Sequence, residues 1–213
     1  MEFEKKSIKQ FIDELASNAP VPGGGGAAAL CGALAAALSS MVFNITNLKN
    51  KFDTLDSEKR QKIISAREQA EELTYECISY INKDAEAFSS LMEAYKFPKS
   101  NDTETKNRKI AINEGLKKAM MVPYNLAEKT LKAMEYIDVA ATYGNKNVVS
   151  DAGAAAICAY AAVECSIINV KVNLSYIDEE LDSNVVSNCN EILTRAAEMK
   201  QIILDKVYKA IEG

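Results

Sequence analysis

The sequence predicts an all-α protein, an up-and-down helical bundle with central alanine-rich helices, and three observations carry that expectation. Apolar residues recur at steps of three and four along most of the 213 residues, which is helical spacing. Alternating apolar and polar runs of strand type are scarce. Two stretches, 27–37 and 152–162, are rich in alanine, and alanine lets neighbouring helices approach closely. The chain reads as a single domain over residues 1–213. It has four prolines, nine glycines, no Pro- or Ser-rich linker, and 48% apolar residues, enough for one sizeable core.

The elements follow in order. Residues Phe3 to Ser17 form a short amphipathic helix with Ile8, Phe11, Ile12 and Leu15 on one face. Asn18 to Gly26 is expected to be irregular, because Pro20 and Pro22 block a helix and Gly23 to Gly26 permit positive φ. Ala27 to about Leu48 is apolar all round, as a helix packed on every side should be. Ser57 to Tyr95 is one long helix whose stripe runs Ile63, Ala66, Ala70, Leu73, Cys77, Ile81, Phe88, Leu91, Tyr95. A loop at Phe97 to Asp102 leads into a helix from Thr103 to Met134, with a kink or break expected at Pro123. A turn cluster at Tyr143 to Asn147 precedes a helix that Ser150 or Asp151 can cap and that opens with Ala152 to Val163. The last helix runs from Asp178 to about Ile211, with Leu181, Val185, Cys189, Ile192, Ala196, Ile203 and Val207 on its apolar face.

Composition removes several kinds of chemistry. There is no histidine, so Ser-His-Asp triads, Cys-His dyads and Glu-x-x-His di-iron sites are excluded. Proton transfer must fall to Asp, Glu, Lys, Tyr or Cys. Five dispersed cysteines, with no Cys-x-x-Cys pair, fit reduced thiols in a cytoplasmic protein. A net charge of −5 and the lack of a basic stripe argue against nucleic acid as a partner. The N-terminus lacks the apolar core of a signal peptide. Ala27 to Phe43 is apolar but falls short of the roughly 20 residues that cross a bilayer, so a buried helix is expected there and no membrane partner.

Several polar residues sit where packing alone would not put them. Asp84 lies in the apolar stripe of the long helix, flanked by Cys77, Ile81 and Phe88. Such a carboxylate needs a salt bridge, a helix end to cap, or a ligand. Glu164 sits similarly among Ile157, Ala161 and Ile168. Gly23, Gly24, Gly25 and Gly26 lead into a helix, where unpaired N–H groups can hold an anion or a carbonyl oxygen. They lack the Gly-Lys-Ser/Thr ending of a phosphate loop, and a tight turn explains them equally well. Asn145, Asn147, Ser150 and Asp151 crowd another helix start, as turn and capping residues or as ligand contacts. Asn169 and Asn173, four apart on the helix that follows, are amides that need partners.

Together these motifs resemble the formiminotetrahydrofolate cyclodeaminases and the methenyltetrahydrofolate cyclohydrolases of the same fold. Pro20-Val21-Pro22-Gly23-Gly24-Gly25-Gly26 is similar to that family's Pro-x-Pro-Gly-Gly-Gly-Ser opening, with Gly26 in place of serine. Asp84-Ala85-Glu86-Ala87-Phe88 resembles its Asp-Ala-x-Ala-Phe element, with Asn82 where some relatives carry a second aspartate. Val122-Pro123, Leu126-Ala127, with Tyr124 where leucine is usual, resembles a third. Gly144 to Gly153 and Asn169 to Leu174 resemble two more, all in the family's order between residue 7 and about 177.

The resemblance implies a homodimer with its active site near the subunit interface and a catalytic aspartate, which maps to Asp84. It implies a tetrahydrofolate derivative as substrate, with the glycine run, the 145–151 cluster, Asn169 and Asn173 lining the pocket, and neither metal nor cofactor. The fused transferase of vertebrate relatives is not in this sequence, which makes a separate formiminotransferase a candidate partner. The reaction implied first is closure of 5-formiminotetrahydrofolate to 5,10-methenyltetrahydrofolate with loss of ammonia. Hydrolysis of the methenyl bridge is the chemical alternative, and a non-catalytic helical dimer that binds folate is the alternative of another class.

Overall fold

The computed structural model describes residues 2–47, 52–177 and 183–212. Among these residues there are six α-helices and no strand: α1 (Ile8–Leu15), α2 (Gly24–Asn47), α3 (Ser57–Tyr95), α4 (Asp102–Tyr143), α5 (Val149–Leu174) and α6 (Ser183–Glu212). Short 3-10 turns at Phe3–Lys5, Phe52–Thr54 and Lys146–Val148 join them.

Helices α2 and α5 form the antiparallel centre. Gly24, at the start of α2, lies against Asn169 near the end of α5. At the other end, Thr46 Oγ1 accepts the N–H of Asn145 at 2.8 Å just before α5 begins. Small residues set the spacing: Ala28, Ala29, Ala35 and Ala36 on α2 and Ala152, Ala155, Ala156, Ala159 and Ala162 on α5 are all buried. Helix α3 packs along α2, α4 packs against α3 and α5, and α6 packs against α4 and α5. Asp56 caps α3 and Asn101 caps α4, each accepting a backbone N–H from the first turn. All five cysteines are free thiols.

Several elements differ from expectation, each for a physical reason. The first helix is shorter: Ser7 caps it in a reciprocal pair with Gln10, and Phe3 to Lys5 form a separate turn. Phe11 is buried edge-to-face against Phe3, whereas Ile8 and Ile12 face solvent and Leu15 is half-buried. The irregular stretch ends sooner than expected: Asn18 to Gly23 lies outside any helix, but α2 starts at Gly24, and none of the glycines from 23 to 26 takes positive φ. Helix α4 runs unbroken through Pro123 and on to Tyr143. Helix α5 starts at Val149 without a side-chain cap, so Ser150 and Asp151 lie inside its first turn. Asn145 instead caps the preceding 3-10 turn, accepting the N–H of Asn147. The last helix starts at Ser183, and the expected stretch 178–182, including Leu181, lies outside the described residues.

Neither central helix is buried all round. Leu34, Ile157, Ile168 and Val172 are each about half exposed and Met41 about a third, so one side of the α2/α5 pair is an open apolar stripe. Both helices are long and apolar enough to cross a membrane, but about half of each is buried inside the bundle.

Candidate active site

The first turn of α2 organises the site. The opening N–H groups of a helix have no partner within it, and the helix dipole leaves that end partly positive. Here the first turn is glycine: Gly24, Gly25 and Gly26. Asp84, in the C-terminal half of α3, lays its carboxylate directly over Gly25 and accepts the N–H of Gly26. Burial pushes the Asp84 carboxyl above its ordinary value, and the Gly26 N–H pulls it back only in part. The sequence left three options for this group. Helix capping is realised, and it presents a half-buried carboxylate at an open helix end, since Gly24 is exposed.

Asn169 approaches from the other side. Its amide lies against Gly24, and its Nδ2 donates to the carbonyl of Cys165 at 2.8 Å. Gly24 to Gly26 are thus flanked by Asp84 from α3 and Asn169 from α5. Gly23, just before the helix, closes its first turn by accepting the N–H of Ala27 at 3.0 Å.

Asn173, one turn beyond Asn169, has a structural task that the sequence reading missed. Its Nδ2 donates to the carbonyl of Ala119 at 3.3 Å and to that of Asn169 at 3.0 Å. Ala119 is four residues before Pro123, so its carbonyl is the one that proline leaves without an intrahelical donor. Asn173 supplies the missing hydrogen bond, which satisfies α4 at its proline and ties it to α5. The signal was present as Pro123 and a buried-face asparagine, but only the fold pairs them.

Asn145, Asn147, Ser150 and Asp151 are not beside Asp84 within one chain. They gather at the far end of α2, by Thr46, about 33 Å from Gly24 at 1.5 Å per residue. Glu164 is half-buried on α5 and bonded to Tyr160, whose ring carries the Lys200 ammonium 3.9 Å from its centre. Asn82 anchors the N-terminal turn: its Oδ1 accepts the N–H of Phe3 at 3.0 Å and its Nδ2 donates to Glu4. Tyr124 accepts from Asn188 at 3.3 Å on the α4/α6 surface. Among the described residues no group of three or more Cys, Asp or Glu side chains could hold a metal ion.

The sequence profile of the formiminotransferase-cyclodeaminase family matches residues 7–200. The chain belongs to this family. Methenyltetrahydrofolate cyclohydrolase of Methylorubrum extorquens is 40% identical over 174 residues, 82% of either chain. The formimidoyltransferase-cyclodeaminase of Mus musculus is 35% identical over 175 residues, 82% of this chain and 32% of its own length. The chain thus spans about a third of that relative. The solved formiminotetrahydrofolate cyclodeaminase of Thermotoga maritima superimposes with a TM-score of 0.77 at 30% identity, covering 99% of this chain and 98% of that one. The protein is therefore an all-α enzyme of the folate cyclodeaminase/cyclohydrolase family.

Proposed function

We propose that this enzyme closes 5-formiminotetrahydrofolate to 5,10-methenyltetrahydrofolate and releases ammonia, with Asp84 as the proton-transferring group. The observation that carries the proposal is the half-buried Asp84 carboxylate at the open N-terminus of α2, held above its ordinary pKa. The formimino group is a cationic amidinium, a natural partner for a desolvated carboxylate. N10 attacks the amidine carbon and forms the new C–N bond. Asp84 takes the N10 proton and delivers it to the exocyclic nitrogen, whose bond to carbon then breaks to release ammonia. A positioned acid–base group of this kind contributes about 10²–10⁴ in rate, and holding N10 against the carbon adds more. The scheme calls on no metal or cofactor, because the leaving nitrogen departs once protonated. Gly24, Gly25, Asn169 and the Oδ1 of Asn173 are the proposed contacts for the bound folate.

The enzyme is further proposed to act as a homodimer. The open stripe of Leu34, Met41, Ile157, Ile168 and Val172 suits a second copy, and a two-fold axis across α2 would run the two copies of that helix antiparallel. Each Asp84 would then face the Asn145, Asn147, Ser150 and Asp151 cluster of the other copy, joining the two halves of the expected pocket.

Cyclohydrolase activity is a second reading, favoured by the 40% identity to the Methylorubrum extorquens enzyme over most of both chains. Its substrate carbon also lies between N5 and N10, and Asp84 would deprotonate the attacking water. Ultraviolet absorbance of the methenyl chromophore separates the readings. Accelerated appearance from 5-formiminotetrahydrofolate with release of ammonia supports the cyclodeaminase. Accelerated disappearance of added methenyltetrahydrofolate alone identifies the cyclohydrolase, and no effect on either rejects both.

A further inference from the structure

We propose that Gly25 is a positioning residue for Asp84, the carboxylate being seated in the space that any other side chain at position 25 would fill. A Cβ on Gly25 would lie 2.1 Å from Oδ1, 2.4 Å from Cγ and 2.7 Å from Oδ2 of Asp84. The whole carboxyl group therefore occupies that volume. Its neighbours are unlike it: a Cβ at Gly24 would come no closer than 3.3 Å to Asn169, one at Gly26 no closer than 3.3 Å to Pro22, and one at Gly23 only 4.0 Å from Pro20. Of the glycines from 23 to 26, Gly25 is the one that Asp84 requires.

The seat cannot be vacated by a small slide of the helices. One heptad on, a Cβ at Gly32 would meet Cys77 Sγ at 3.0 Å. Gly25 and Gly32 on α2, and Asp84 and Cys77 on α3, are each seven residues apart, which keeps both contacts on one seam of two antiparallel helices. Moving α2 away from Asp84 would open the Gly32–Cys77 contact as well. An aspartate has a single methylene between backbone and carboxyl, so a methyl at position 25 must turn the carboxyl group out of the seat. It would then lose both the Gly26 N–H and its partial burial, the two influences that set its proton affinity.

The inference rests on the proposed proton transfer by Asp84, but its test does not need turnover. Denaturation is measured for wild type, Gly25→Ala, Asp84→Ala and the double variant. Carbon-13 NMR follows the Asp84 carboxyl titration in wild type and Gly25→Ala, the signal being assigned by its loss in Asp84→Asn. Gly25→Ala is expected to lower the denaturation midpoint in the wild-type background and to do so little or not at all in Asp84→Ala, where all three contacted atoms are gone. Asp84 should titrate above the ordinary aspartate range in wild type and move back toward it in Gly25→Ala. The kcat of that variant should fall by about 10²-fold or more, with a smaller change in KM. An equal loss in both backgrounds, including failure of both to fold, or an unchanged Asp84 titration, overturns the proposal. Normal turnover by Asp84→Asn would instead remove the proton-transfer role and leave the coupling and the titration to report on the seat.

Discussion

Asp84 shows how one side chain can satisfy the fold and carry the chemistry. As a cap it gives the Gly26 N–H an acceptor and sets a negative charge at the positive end of α2. Its burial opposes ionisation, and burial is the larger influence. That has a sign for stability. Below the ordinary value of 3.8 the carboxyl is neutral in both the folded and unfolded chains. Between 3.8 and the raised native value the unfolded chain has lost its proton while the folded chain keeps it, so stability falls as pH rises. Wild type should therefore lose stability relative to Asp84→Asn across that interval and run parallel to it above. Urea denaturation of the two proteins at a series of pH values checks this, and a gap that moves the opposite way would show that capping outweighs burial. The sequence placed Asp84 in an apolar stripe and left its partner open. It could not name Gly25, because the two residues are far apart in the chain and only the packing of α3 along α2 joins them.

At the scale of elements, periodicity located the long helices well and their ends less well. Helix α3 spans Ser57–Tyr95 as expected. Local rules failed where tertiary partners intervene. Pro20, Pro22 and the glycine run suggested a loop reaching Gly26; it holds through Gly23, but Asp84 caps the N–H of Gly26 and Gly24 to Gly26 form a helical turn. Pro123 suggested a kink or a break; the helix is not broken there, and Asn173 supplies the hydrogen bond that the proline removes. The α4–α5 pairing gives a double-mutant test. Asn173→Ala should cost about 1–3 kcal/mol, the range for leaving a buried carbonyl unpaired. In a Pro123→Ala background residue 123 regains an N–H for Ala119, so the same change should cost less. Chemical denaturation of the four proteins reads the coupling energy, and simple additivity would show that Asn173 acts elsewhere.

At the scale of the whole molecule, the sequence conveyed the fold class and the order of motifs but not that the motifs fall at two ends of one helix. Asp84, Gly24 to Gly26 and Asn169 lie at one end of α2 and the 145–151 cluster at the other, a separation invisible in a linear chain. The proposed antiparallel dimer predicts complementation. Asp84→Asn and a Ser150→Ala/Asp151→Asn variant should each be inactive alone, whereas chains mixed through co-refolding should recover about one quarter of wild-type activity, since half the dimers then hold one intact site. No recovery would place the whole pocket within one subunit. In the same way, Leu34→Lys with Ile157→Lys should yield a monomer by sedimentation, with activity lost alongside the dimer. The most direct test of the central claim is the rate at which the methenyl chromophore appears from 5-formiminotetrahydrofolate with wild type and Asp84→Asn at equal folded concentration. The account predicts a loss of about 10²-fold or more in kcat for the variant, with the fold intact. Comparable rates in the two proteins would contradict it.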